Sequence, residues 1–148
     1  MSNSYLVALG LTAIAGVAIS LQNPINAGLA RHMGSSLGAT TICFAVGLAA
    51  LVIATVLFGH WPAMIQSAQA PVILLSGGLL GAFLVWAALY SVPILGVLTL
   101  AAVLIFGQLV AALIIDHFGL FGLEARAISV NRVLAAGLVT AGVVLSRF

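Results

Sequence analysis

The sequence predicts an all-α membrane protein with five transmembrane helices. Of its 148 residues, 64% are hydrophobic and only 4% are charged, and the mean hydropathy is +1.37. The 84 residues from His32 to Ile115 contain no Lys, Arg, Asp or Glu. Because a soluble domain needs charged side chains over its surface, this gap indicates that most of the chain lies in lipid.

Length and pattern limit the architecture. At about 20 apolar residues per crossing, the chain has room for four or five spanning helices and no extramembrane domain. We therefore expect a single transmembrane domain over residues 1–148. Transmembrane β-strands alternate apolar and polar residues, whereas these segments are continuously apolar and rich in Ala, Leu and Gly, which favours helices.

Five apolar segments can be delimited. The predicted helices cover residues 5–30, 37–58, 72–90, 94–115 and 131–147. Pro24 is expected to bend the first helix without ending it. Ser91-Val92-Pro93, followed by Gly96, predicts where the third segment ends and the chain folds back. Residues 63–70 are too few and too polar to cross, so we expect them at the membrane interface.

The arginines are balanced between the two faces of the membrane. With five crossings, Arg126 and Arg132 fall on one face, and Arg31 and Arg147 on the other. An excess of positive residues in cytoplasmic loops normally sets the orientation, and here there is none. The balance predicts a dual-topology protein that pairs with an inverted copy of itself. The alternative is an accident of small numbers.

Side-chain amides are the first candidates for a substrate site. Gln22 and Asn26 are four residues apart and share a helical face, with Asn23 beside them. A lone amide in lipid costs a few kcal/mol, roughly, so these groups should face protein or a water-filled cavity. Gln108 is a second such position, deep in the fourth segment. The alternative for all of them is hydrogen bonding that only holds helices together.

An aromatic stripe lies on the third segment. Phe83, Trp86 and Tyr90 are at helical spacing and could floor a cavity that binds a cation or a flat organic group. Packing between helices is the alternative, with Tyr90 as an interface anchor. We include Trp86 among the candidate substrate-binding residues.

Asp116 and His117 follow the fourth segment at its water boundary. Proton coupling needs an ionisable group that substrate and proton both reach, and a carboxylate beside an imidazole is suited to that role. The alternative is that Asp116 ends the helix or anchors the next loop, where Glu124, Arg126 and Arg132 are available as neighbours.

The other features predict packing and membrane contact. Gly137 and Ala141, small residues four apart in segment five, predict a dimer contact, and Cys43 is interpreted as a small packing residue.

No spacing indicates a metal or cofactor site or a catalytic nucleophile, so we expect no enzyme activity. The net charge of +2 comes from scattered residues, so the expected partners are the bilayer and a small-molecule substrate, not nucleic acid.

Several of these residues together resemble one family. The pattern is similar to that of the YdcZ-like inner-membrane exporters of the drug/metabolite transporter superfamily, and it covers nearly the whole chain. The residues that carry the resemblance run from segment one to the connection after segment four: Gly16, Gln22, Asn26, Phe44, Gly47, Gly77, Gly78, Gly81, Pro93, Gly96, Gly107, Gln108 and Asp116 to Gly119.

The resemblance implies a five-helix unit that is half of a ten-helix architecture built from inverted repeats. Two copies in opposite orientations would rebuild the two-fold site at the midplane. The expected function is secondary transport, as export of a small polar or organic compound by alternating access in a bacterial inner membrane. The alternatives are an accessory membrane subunit and one half of a heterodimer with an oppositely oriented paralogue. The central glutamate of small multidrug exporters has no counterpart here.

Overall fold

The computed structural model describes residues 3–145, which are helical apart from turns and connections and contain no β-strand. This confirms the all-α class. Within this described range, the seven α-helices in chain order are α1 Asn3–Met33, α2 Ser36–Leu57, α3 Trp61–Ile65, α4 Val72–Leu75, α5 Gly77–Leu95, α6 Val97–Phe118 and α7 Val130–Leu145. Two short 3-10 helices, Gln66–Gln69 and Leu120–Gly122, lie in the connections.

Four helical stretches of the described chain are long and apolar enough to cross a bilayer. They are α1, α2, the stretch Val72–Leu95, in which a turn at Ser76 lies between α4 and α5, and α6. α7 has 16 residues, or about 24 Å at 1.5 Å per residue, against a hydrocarbon core of about 30 Å. A fifth crossing therefore stays a prediction, and the last two residues of its predicted span, 146 and 147, lie outside the described range.

The start of α2 is fixed by a side-chain cap. Ser35 has an extended backbone, and its hydroxyl oxygen accepts a hydrogen bond of 3.0 Å from the Gly38 N–H. This satisfies one of the four N–H groups that have no partner within the helix. The two-residue turn before α2 makes α1 and α2 antiparallel neighbours.

The break between the third and fourth segments differs from the expected one. Helix α5 continues through Ser91 and Pro93 to Leu95, and α6 begins only at Val97. The intervening Gly96 has φ 79° and ψ 164°, a conformation that a Cβ atom disfavours. The proline removes one backbone donor in the last turn of α5 without ending the helix, whereas the glycine does end it. The expected break at Ser91 to Pro93 is therefore corrected to Gly96.

Helix α1 continues through Pro24 and changes character there. Residues 3–22 are exposed on every side, whereas the buried residues of the helix are Asn23, Asn26, Ala27 and Ala30. Only the C-terminal third of α1 is therefore packed within the chain.

By its internal contacts the chain forms two compact units, Met1–Ile94 and Leu95–Phe148. In the first unit, α1 packs against α2, and Ala30, Ala39 and Leu89 form a buried cluster that joins α1, α2 and α5. In the second unit, α6 packs against α7. The buried cluster of the first unit lies one helical turn from the predicted amide Asn26, because Ala30 follows Asn26 by four residues on α1.

Candidate substrate-binding site

The amides of Gln22 and Asn26 converge on one thiol. Asn26 Nδ2 lies 3.2 Å from Cys43 Sγ, and Gln22 Nε2 lies 3.4 Å from the same sulfur atom. The two amides share a face of α1 because they are four residues apart. The packing of α1 on α2 then places Cys43 opposite them.

Cys43 is a member of this site that the sequence interpretation missed. The sequence predicts only a packing role for it, whereas its half-buried thiol accepts both amide contacts. No local pattern around Cys43 indicates this pairing, which depends on how α1 and α2 are rotated against each other. A thiol is a weak acceptor. Since an amide carries two N–H groups and an oxygen, one contact to sulfur leaves most of its hydrogen-bonding capacity for a ligand.

The amides differ in their exposure. Asn26 is 9% exposed and the adjacent Asn23 is 8% exposed, whereas Gln22 lies on the exposed surface of α1. The three amides therefore run from the helix interface out to its open edge. Such a gradient suits a site that a solute enters from one side.

Gln22 and Cys43 line a groove of about 300 Å³, which we call the amide groove. Its other lining residues are apolar: Phe44, Gly47, Leu48, Leu51 and Val85. Apolar walls with a few placed polar groups are typical of small-molecule sites. Because no charged side chain lines it, the groove suits an uncharged polar group better than an ion.

A second, wider groove of about 490 Å³ lies in the same unit, and we call it the aromatic groove. Its lining residues come from α2 and α5: Leu37, Thr40, Thr41, Phe44, Ala82, Phe83 and Trp86. Phe44 lines both grooves. A Cβ atom on Gly81 would lie 3.8 Å from the Phe44 ring, so this glycine leaves α5 open beside that ring.

The aromatic stripe of α5 forms one wall. The ring centroids of Phe83 and Trp86 are 6.1 Å apart, and those of Trp86 and Tyr90 are 6.4 Å apart and stacked. Trp86 is 39% exposed and Phe83 is 64% exposed, so their faces are not used up by packing inside this chain. Phe83 and Trp86 both line the aromatic groove, whereas Tyr90 does not, and binding of a substrate there stays a prediction.

The remaining predicted residues belong to the second unit. Gln108 lies exposed on α6, and Asp116 and His117 lie in its last turn, not in the connection where the predicted end of segment four at Ile115 placed them. Asp116 Oδ2 forms an ion pair of 2.9 Å with Arg132 Nη1, and its carbonyl accepts a 2.7 Å bond from the Arg126 N–H. Asp116 thereby ties both the connection and α7 to α6, and its part in proton coupling stays a prediction.

Gly137 and Ala141 are exposed on α7. The half-buried residues of this helix include Arg132, Ala136 and Val139, which are three or four apart and so form a different face. The face predicted for dimer contact is therefore not used for packing in the described unit.

These features define a multi-span helical membrane protein with amide and aromatic side chains in apolar grooves. A family model described as "Putative inner membrane exporter, YdcZ" matches residues 7–145. The chain belongs to this YdcZ family. Among curated proteins and solved structures, no match was found.

Proposed function

We propose that this protein is a secondary transporter that exports a small polar metabolite or organic compound across a bacterial inner membrane. Two copies in opposite orientations form the working unit, and alternating access moves the substrate. The observation that carries the proposal is that Gln22 and Cys43 line an open, uncharged groove in a chain of an exporter family, and that the buried Asn26 contacts the same sulfur atom from behind the groove wall. The amides, with Gln22 at the amide groove, orient the polar part of the substrate, and Trp86 stacks against its flat part in the aromatic groove, which shares Phe44 with the amide groove.

Two further features support the antiparallel dimer. The arginines of the sequence are balanced, although Arg147 lies outside the described residues, and the small-residue face of α7 with Gly137 and Ala141 is exposed. Small residues let helices approach closely in lipid. In a dimer of inverted copies, the inward-open and outward-open states are related by symmetry, so ion or solute gradients set the direction.

A transport assay tests the substrate site. Purified protein in proteoliposomes is screened for uptake of a panel of small neutral and zwitterionic metabolites. For a compound that is transported, Asn26→Ala should reduce flux by roughly tenfold, because the loss of one buried hydrogen bond costs about 1–3 kcal/mol. Gln69→Ala is the matched control, since it removes an exposed amide from a connection, and it should leave flux unchanged. Equal loss in both variants would contradict the site.

A labelling assay tests the orientation. Cys43 is the only cysteine, so a Cys43→Ser chain with one cysteine added at either terminus gives a single reporter. A membrane-impermeant maleimide should label each terminus to an equal extent from both sides of the membrane. Labelling of a given terminus from one side only would rule out self-pairing by inversion.

One observation also favours a second candidate, an accessory membrane subunit. The contacts of Gln22 and Asn26 with Cys43 join α1 to α2, as amides used only for helix pairing would. An accessory subunit would show no flux for any compound. One half of a heterodimer would gain flux only when an oppositely oriented paralogue is added.

A further inference from the structure

A third groove, of about 150 Å³, lies where three helix ends of the first unit meet. We call it the Arg31 groove. Its polar side chains are Arg31 at the end of α1, Ser35 and Ser36 at the start of α2, and Tyr90 near the end of α5. It shares no lining residue with the amide groove or the aromatic groove.

The positive charge of this groove has no acidic side chain in its own unit with which to pair. Arg31 is the only Lys or Arg in residues 1–94, and that range contains no Asp or Glu. Of the two acids in the chain, Asp116 is paired with Arg132, and both acids belong to the second unit. A guanidinium at the edge of lipid binds an anion strongly when one is within reach. Within the first unit, no side chain supplies that anion.

The position of the guanidinium favours a ligand from the membrane. Arg31 Nη2 lies 3.8 Å from where a Cβ atom on Gly28 would be, so the side chain extends back along α1 by about one turn. This direction is toward the apolar body of α1, one of the helices that are long and apolar enough to cross a membrane. The groove lies near the ends of apolar helices, and in a bilayer that these helices cross it would be at the depth of the lipid headgroups, where tyrosine is also enriched.

We infer that the Arg31 groove binds the phosphate of an anionic phospholipid. The planar guanidinium can donate two parallel hydrogen bonds to phosphate oxygens. The hydroxyls of Ser36 and Tyr90 can donate further bonds. Ser35 Oγ accepts from the Gly38 N–H, which leaves its own hydrogen free to donate. The ligand is thus a phosphate diester held by one cation and up to three hydroxyls, at a site separate from the proposed transport site.

The test uses the full-length protein in detergent, titrated with phosphatidylglycerol and followed by native mass spectrometry. Arg31→Gln should weaken lipid binding by roughly tenfold or more, because hydrogen bonds to charged groups are the strong ones. Arg31→Lys keeps the charge but loses the paired geometry, so its loss should be smaller. Arg126→Gln is the matched control, since it removes an arginine of the second unit, and it should bind within about twofold of the unchanged protein. If Arg126→Gln loses as much as Arg31→Gln, diffuse charge explains the binding and the site is refuted.

Further measurements identify the source of the phosphate and check that each variant is folded. Inorganic phosphate at millimolar concentration should not displace phosphatidylglycerol, and displacement would indicate a site for free anions. Phosphatidylcholine should bind more weakly, and equal binding would refute selection of anionic lipid. The double variant Ser36→Ala with Tyr90→Phe keeps Arg31 and should show a partial loss. Circular dichroism must match the unchanged protein for every variant. Since none of these measurements involves flux, the inference stands or fails independently of the proposed transport.

Discussion

Leu89→Ala tests whether packing alone holds the first unit together. Leu89 is 1% exposed and lies in the buried cluster with Ala30 and Ala39. These two small partners let α1 and α2 approach closely, and the leucine side chain reaches from α5 onto them. Its removal leaves a cavity that the alanines cannot fill.

The expected cost is smaller than in a soluble protein. A Leu→Ala change in a water-exposed fold costs about 2.7–5.0 kcal/mol, as a transfer term plus a cavity term. Three carbon groups at about 0.8 kcal/mol each account for about 2.4 kcal/mol of that as transfer from water. Helices separated in a bilayer leave the side chain in lipid, so the transfer term is absent. The cavity term of about 0.3–2.6 kcal/mol remains.

The assay is reversible unfolding in mixed micelles by sodium dodecyl sulfate, followed by circular dichroism. Leu80→Ala is the matched control, since Leu80 lies on the same helix but is 70% exposed, and its cost should be below about 0.5 kcal/mol. Equal costs for the two variants would show that the cluster is not a packing centre. A cost of 4 kcal/mol or more for Leu89→Ala, roughly the soluble value, would refute the absence of a transfer term.

Three further substitutions have matched comparisons. Asp116→Asn should lower the free energy of unfolding by about 0.2–1 kcal/mol, since each partner of its ion pair is about one-third exposed. A double-mutant cycle with Arg132→Gln, in low and in high salt, measures the coupling energy of the pair. Gly119→Ala should destabilise more than Gly122→Ala in the same unfolding assay. Both glycines have positive φ, but only at Gly119 would a Cβ atom lie 2.9 Å from a backbone oxygen. Ser35→Ala should lower the free energy of unfolding by about 1 kcal/mol. Ser35→Gly should lower it by only about a few tenths of a kcal/mol, because glycine is tolerated at a helix N-cap.

The helices were largely predictable from the sequence because membrane helices are set by local composition. The predicted start of α2 at Leu37 lies one residue from the observed Ser36. The largest displacement is at the end of α5, predicted at Tyr90 and observed at Leu95, with the start of α6 moved from Ile94 to Val97. There the prediction relied on a proline, but the backbone conformation that ends the helix is the positive φ of Gly96.

The candidate site was only half predictable. That Gln22 and Asn26 share a face follows from their spacing, but their common partner Cys43 does not. Likewise, several residues were available to pair with Asp116, and the structure selects Arg132. Each outcome depends on the rotation of one helix against another, which residues distant in sequence control together.

The sequence by itself determined that this chain is a helical membrane protein, because insertion depends on the apolar content of about 20 consecutive residues. The spacing along one helix also determined which side chains share a face. Only the tertiary structure decided which faces meet, since helix packing in lipid depends on close contact between small side chains and not on hydrophobicity. The amide groove, the ion pair of Asp116 and the Arg31 groove all result from such contacts.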